Sequence, residues 1–221
     1  MRQAIQRTER AIKNRRNTDK SLVNWWLYVL LLSWITAGIY SIVVYYQRLK
    51  RVTDFIERRK KYYNGVLNFT ENYAKEEGEY DDIVNELNDL NDDIKFAFGN
   101  KVKKFNPLVD TILSVVTFGI YGIYIWYRLN KVWYELQLIE QDFNDDLSKI
   151  WSKLNLIKNP FNYNVDSSRD RNFWLYLLLT FVTVGIWGLV WDYKIHTDPD
   201  NLYEEFHFVE DEILQIIRNA G

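Results

Sequence analysis

Three long uncharged runs, rich in Trp and Tyr, interrupt a chain in which 26% of the residues are charged: Ser21 to Tyr46, Phe105 to Tyr127 with Asp110 inside it, and Asn172 to Trp191. An apolar helix of about 20 residues matches a bilayer core of roughly 30 Å. Trp and Tyr favour membrane interfaces because each joins an apolar ring to one polar group. The runs therefore predict an all-α membrane protein. The mean hydropathy of −0.32 places well over half of the chain in water.

The runs share a pattern. SWITAGIYSI (33–42), SVVTFGIYGI (114–123) and TFVTVGIWGL (180–189) align as [ST]-x-x-T-x-G-I-[YW]-[GS]-[IL]. An aromatic follows at Tyr46, Tyr127 and Tyr193, and a base at Arg48, Arg128 and Lys194. Matched positions recurring in three places mark an internal repeat. Its T-x-G-I-Y-x-I-Y core, with aliphatics before it and aromatic-aromatic-basic after it, resembles a widespread prokaryotic family of short integral-membrane domains of unknown function. The resemblance covers the three segments and is best in the second; the third departs from it at Trp187 and Asp192. It implies a membrane location and no chemistry.

Two topologies fit these runs. In one, each is a single span, and Gly38, Gly119, Gly185 and the [GS] positions form a G-x-x-[GS] packing face. In the other, each is a hairpin that enters and leaves by one face. Thr36-x-Gly38, Thr117-x-Gly119 and Thr183-x-Gly185 are then the tips, with the glycines supplying positive φ. Ser41, Gly122 and Gly188 would let the arms approach, and the threonines would bond carbonyls freed at the turn. Single spans would put 11 Lys and Arg on one side (6–20, 128–142, 157–171) and 12 on the other (47–61, 92–106, 192–206). Such a balance does not obey the positive-inside rule, whereas hairpins need no asymmetry. A turn in hydrocarbon must also have its backbone groups satisfied, and neighbouring copies or subunits are expected to cover it.

Seven units follow: a basic amphipathic segment (1–20), membrane repeat 1 (21–48), a charged helical hairpin (49–104), membrane repeat 2 (105–128), a long amphipathic helix (129–160), membrane repeat 3 (161–194) and a C-terminal amphipathic helix (195–221). Between the repeats, apolar residues recur at steps of three and four, the seam of a bundle or coiled coil. Examples are Ile83, Leu87, Leu90 and Ile94, then Val132 through Ile157, then Leu202, Phe206, Val209, Ile213 and Ile216. Pro107, Pro160 and Pro199 are expected to punctuate the units. The basic N-terminal segment reads as a helix lying on a membrane surface. Arg15, Arg16, Arg48, Lys50, Arg51, Lys103, Lys104, Arg128 and Lys194 are candidate contacts to anionic headgroups, with Arg58, Arg59, Lys60 and Lys61 nearby.

Several chemistries are excluded or lack a motif. Without cysteine there is no disulfide, thiolate nucleophile or cysteine metal site. A net charge of −2 argues against a nucleic-acid partner. No phosphate-binding, zinc-protease, nucleophile-elbow or dinucleotide motif occurs. His196 with Asp198 and Asp200 reads as a turn around Pro199, and His207 as a packing residue. Asp110 and Asp192 are candidate intramembrane acids, Asp110 with a structural role at a helix N-terminus as the alternative.

The expected function is a non-enzymatic integral-membrane scaffold that self-associates and shapes or organises the membrane. The alternatives are an oligomeric ion channel or small transporter, and a membrane-anchored adaptor or sensor. No cofactor or metal is expected. The partners are the bilayer, particularly anionic lipids, further copies of the chain, and proteins docking on the amphipathic helices. The mass outside the bilayer is placed in the cytoplasm.

Overall fold

A computed structural model describes all 221 residues, and its regular elements are helices alone. In chain order these are α1 (Arg2–Lys13), α2 (Arg15–Thr18), α3 (Trp25–Leu27), a π turn (Tyr28–Leu32), α4 (Ser33–Ile35), α5 (Ile39–Glu77), α6 (Tyr80–Phe96), a second π turn (Ala97–Lys101), α7 (Pro107–Val116), α8 (Ile120–Lys153), a 3-10 turn (Ser167–Arg169), α9 (Phe173–Val182) and α10 (Ile186–Ala220). No helix is long and apolar enough to cross a membrane. The single-span alternative fails for a local reason: each apolar run is broken by a left-handed glycine at Gly38, Gly119 or Gly185.

Each break launches a long helix, α5, α8 or α10, of 39, 34 and 35 residues. The three run parallel and nearly in register. Trp126, seven residues after Gly119, meets Trp191, six after Gly185, with ring centroids 5.9 Å apart. Farther along, Arg59 and Glu140, each 21 residues past its own glycine, form a buried ion pair. Phe55 of α5, Trp133 of α8 and Tyr203 and Phe206 of α10 interlock between those levels, with Phe55 centroids 5.0 to 5.8 Å from the other three. Contacts at matched heights place all three glycine breaks at one end of the bundle.

Parallel helices require return paths, and the chain uses two different ones besides its N-terminal approach. From Gly78 (φ 79°), α6 turns back and buries Ile83, Leu87, Leu90 and Ile94. After α8 the return is extended chain, 154–172, because the helix stops at Lys153 with Asn155 left-handed (φ 55°), short of the expected end at 160. Phe161 and Tyr163 pack that segment onto the core. At the start, α1 packs Ala4, Thr8 and Ala11 onto α5, where Gly65 leaves room: a Cβ there would lie 2.5 Å from Thr8 Oγ1. The N-terminal helix is thus part of the bundle and not laid on a surface, since its small-residue face fits a groove made for it. Pro199 is likewise no boundary. It lies inside α10, so His196, Asp198 and Asp200 are helical, and the His196 carbonyl accepts from Arg51 Nη1 at 3.2 Å. In the C-terminal seam Ile217 is buried where Ile216 was expected.

The middle of the bundle is crossed by buried charge. Glu210 accepts from Arg58 at 2.8 Å, from Arg15 at 2.6 Å and from Arg59. Glu140 accepts from Arg59 and, at 2.5 Å, from the Tyr63 hydroxyl. Asp19 takes the other edge of Arg58, at 2.7 Å. Three guanidiniums thus face three carboxylates, and all but Arg15 are essentially shut off from solvent. Arg58 and Arg59 are therefore not membrane-facing cations. Buried carboxylates persist only when paired and hydrogen-bonded, and this network joins the chain around α2 to all three long helices.

Removing one member strands the rest, so Glu210→Gln should destabilise the fold by about 3–5 kcal/mol. Denaturant unfolding checks it, and an unchanged midpoint would contradict it. Burial by itself would raise the Glu210 carboxyl, but Arg58, Arg59 and Arg15 outweigh burial and hold it at about 2. A depressed folded value means the stabilisation is whole above the unfolded value of roughly 4.3 and is lost as pH falls toward the folded one. The unfolding midpoint should drop between these limits, and less steeply in Glu210→Gln.

Candidate functional site

Apolar side chains that a bundle would hide are instead exposed around the three glycine breaks. All the exposed large hydrophobics except Phe96, Leu138 and Phe208 lie in the short arms, the turns and the first turns of α5, α8 and α10. Phe118 is 97% exposed, Val184 92% and Trp34 81%.

Each turn satisfies its own backbone in the same way. In the second, Gly119 N–H donates to Ser114 O at 2.8 Å, Phe118 N–H to Val115 O at 3.0 Å and Ile120 N–H to Thr117 O at 3.1 Å. The Thr117 hydroxyl then does two jobs: it donates to Leu113 O at 2.7 Å and accepts from Tyr121 N–H at 3.0 Å. Thr36 repeats this between Leu32 O and Tyr40 N–H, and Thr183 between Leu179 O and Trp187 N–H. One hydroxyl thus closes the end of the incoming helix and caps the start of the outgoing one. No second copy is needed to cover these groups. The turn also needs two left-handed residues in succession, and the first is Ala37 (φ 48°), Phe118 (φ 49°) or Val184 (φ 50°). A branched or bulky residue there is strained, yet Phe118 and Val184 stand at the apex almost fully exposed.

Small residues let the arms close. Ser33 Oγ donates to Tyr28 O at 2.9 Å, which leaves Ser41 as donor in the 3.0 Å bond between the two hydroxyls. A Cβ on Gly122 would lie 3.6 Å from Ser114, and one on Gly188 only 2.9 Å from Thr180 Cγ2. Four fixed positions of the repeat thereby have physical roles. Ser33, Ser114 and Thr180 face Ser41, Gly122 and Gly188, the inner threonine caps, and the glycine turns the chain.

The hairpins close into a ring. Tyr45 of the first donates to Ser114 of the second at 2.9 Å, Tyr127 of the second packs edge-on against Phe173 of the third, and Trp25 of the first donates to Asp192 of the third at 2.7 Å. The two acids of the apolar runs are fully committed. Asp110 accepts from Asn106 N–H and from Tyr121 Oη, each at 2.8 Å. Asp192 takes both Arg48 nitrogens, at 2.5 and 2.9 Å.

The proposed surface cations divide. Arg48 and Arg51 are buried, so they are not headgroup contacts: Arg48 serves Asp192 and approaches His196 Nδ1 at 3.1 Å, while Arg51 serves Asp200 and the Tyr203 hydroxyl. Arg15 belongs to the Glu210 network. Lys50 and Lys104 are exposed and paired with Asp54 and Glu57, Lys103 and Arg16 are exposed, Lys194 is half-buried, and Arg128 lies over the Phe105 ring and donates to Lys103 O at 2.5 Å. His207 is half-buried and bonds Asp19 at 2.7 Å. Sequence reasoning missed Trp25, Tyr45 and the inward role of the arginines. A signal existed, because Arg48, Arg51, Phe55, Arg59 and Tyr62 follow one another at steps of three and four on the buried face of α5. No group of side chains in the molecule is arranged to hold a metal ion.

A family model described as a domain of unknown function (DUF4234) matches residues 171–210. That span covers the third arm, its turn and most of α10, whereas the sequence resemblance is best in the second segment. No curated protein and no solved structure matches the chain.

Gly185→Ala and Gly188→Ala should both destabilise the third hairpin, for different reasons. The first forces a side chain into φ 92° with open space around it; the second collides with Thr180 Cγ2. Adding Thr180→Ser should therefore restore most of the loss in Gly188→Ala, and none in Gly185→Ala, when thermal unfolding is followed in detergent. Equal rescue of both would refute this assignment.

Proposed function

We propose that this chain is a non-enzymatic membrane scaffold that drives three helical hairpins into one leaflet of a bilayer and holds the rest of its mass outside. The observation that carries the reading is the set of uncharged tips at one end of the bundle, with strained apolar residues at their apices fully exposed. Their size fits. Each arm of 10 or 11 residues reaches about 15 Å, half of a bilayer core. The first cations beyond the tips, Arg48, Arg128 and Lys194, stand nine or ten residues from their glycines, at the same depth. Trp25, Trp126, Tyr127, Trp191 and Tyr193 cluster near that level, where amphipathic rings are favoured.

A scaffold is favoured over a conducting pore because Asp110 and Asp192 already spend their charge on internal partners. Wedges that fill one leaflet and not the other expand that leaflet alone, so the same reading makes the protein a curvature-generating or curvature-seeking element. On this reading self-association and anionic lipid are secondary. The turns need no covering subunit, and three of the expected headgroup arginines, Arg15, Arg48 and Arg51, pair with carboxylates of the fold.

The chain has no native cysteine, so single reporters are clean. Phe118→Cys and Val184→Cys, labelled with an environment-sensitive fluorophore and mixed with liposomes, should report an apolar setting and be quenched most by labels deep in the acyl chains. Lys149→Cys should report water. Aqueous spectra at both tips in the presence of bilayers would sink the proposal. At high protein density the liposomes should also deform into tubules or small vesicles, and smooth, unchanged liposomes would remove the curvature role.

A further inference from the structure

Away from the hairpins, α1 and α5 enclose a cleft of about 500 Å³ whose walls are polar apart from Ala11. Arg7, Arg10 and Asn14 line it from the α1 side, and Lys61, Asn64 and Asn68 from α5. None of Arg7, Arg10 and Lys61 forms an ion pair, and no carboxylate lines the cleft. Glu9, Glu57 and Glu71 of these helices are engaged with other partners, Arg218, Lys104 and Lys75 in turn. Arg58 closes the floor, its charge already met by Asp19 and Glu210.

Arg7, Arg10 and Lys61 are exposed to solvent, yet they line one concavity without a counter-charge. We infer that the cleft is a binding site for a compact, multiply charged phosphate compound. Guanidinium forks grip phosphate oxygens in pairs, an ammonium adds a point charge, and the Asn carboxamides supply neutral donors. The volume lies within the roughly 300–1,000 Å³ of small-molecule sites. No aromatic side chain lines it. It therefore has no platform for stacking a nucleobase, and recognition falls on the phosphates alone.

Such phosphates could belong to a dissolved oligophosphate or to a lipid headgroup. Lys61 lies 23 residues beyond Gly38 on α5, about 35 Å along the helix from the tip. Half a bilayer with its headgroups is only about 20–22 Å. The dissolved source is the one that reaches the cleft. Only this choice rests on the proposed insertion; the convergence of charge does not.

The test is calorimetry on the full chain in micelles of an uncharged detergent, so that binding is read whether or not the hairpins enter lipid. Tripolyphosphate should bind saturably, one per chain, above a sodium chloride control of equal ionic strength. Arg7→Gln with Lys61→Gln should weaken it about tenfold or more, a loss of roughly 1.4 kcal/mol. Arg2→Gln with Lys20→Gln, which removes the same charge from exposed positions outside the cleft, should leave it unchanged. The absence of saturable heat, or equal weakening by both pairs, would overturn the inference. So would binding that appears only in bilayers doped with a polyphosphorylated lipid, since that would assign the site to a headgroup.

Discussion

Everything in this architecture follows from a turn that satisfies its own backbone. An apolar helix cannot reverse inside a low-dielectric medium unless the N–H and C=O groups freed at the bend find partners. In this chain one threonine hydroxyl and two left-handed residues supply them within nine residues. Without that device each run would continue as a straight helix, and the arms, the ring of small-residue contacts and the exposed apices would not exist.

The second constraint is that three such turns sit at one level. Long helices that start together must run parallel, so the chain has to come back twice, by an antiparallel helix and by extended chain, while a short N-terminal helix seated on Gly65 leads into the first hairpin. Parallel packing also brings similar heights of α5, α8 and α10 face to face. Near the tips these heights meet through Trp126, Trp191 and the Arg48–Asp192 pair, then through interlocked aromatics and the Glu210 network, and beyond it through Phe69 and Trp151. The apolar end is left with nothing to bury it. Exposed apolar surface of this extent marks an interaction site, and on the proposed reading the partner it meets is one leaflet of a bilayer.

Much of the hairpin was legible in the sequence, because its determinants are local: threonine, glycine and the small residues recur at fixed spacing within ten positions. The bundle seams of α6, α8 and α10 were legible for the same reason, through their three-four periodicity. The charge pairs were not. Arg48 and Asp192 are 144 residues apart, and a run such as Arg58-Arg59-Lys60-Lys61 gives no sign by composition that its first two members turn inward and its last outward. The placement of Pro199 inside a helix and the unravelling of 154–172 were also hidden, since both depend on what packs alongside. In each case a neighbour distant in sequence overrode a local rule.

The central claim, that all three hairpins enter from one side, is tested most directly by sidedness. Single substitutions Lys20→Cys, Lys61→Cys, Lys104→Cys, Lys153→Cys and Lys194→Cys sample the flanks of every repeat. In sealed, uniformly oriented vesicles, an impermeant maleimide should label all five or none, according to orientation. Labelling that alternates across the glycine breaks would mean that the chain crosses the bilayer at each repeat, and would contradict insertion from a single face.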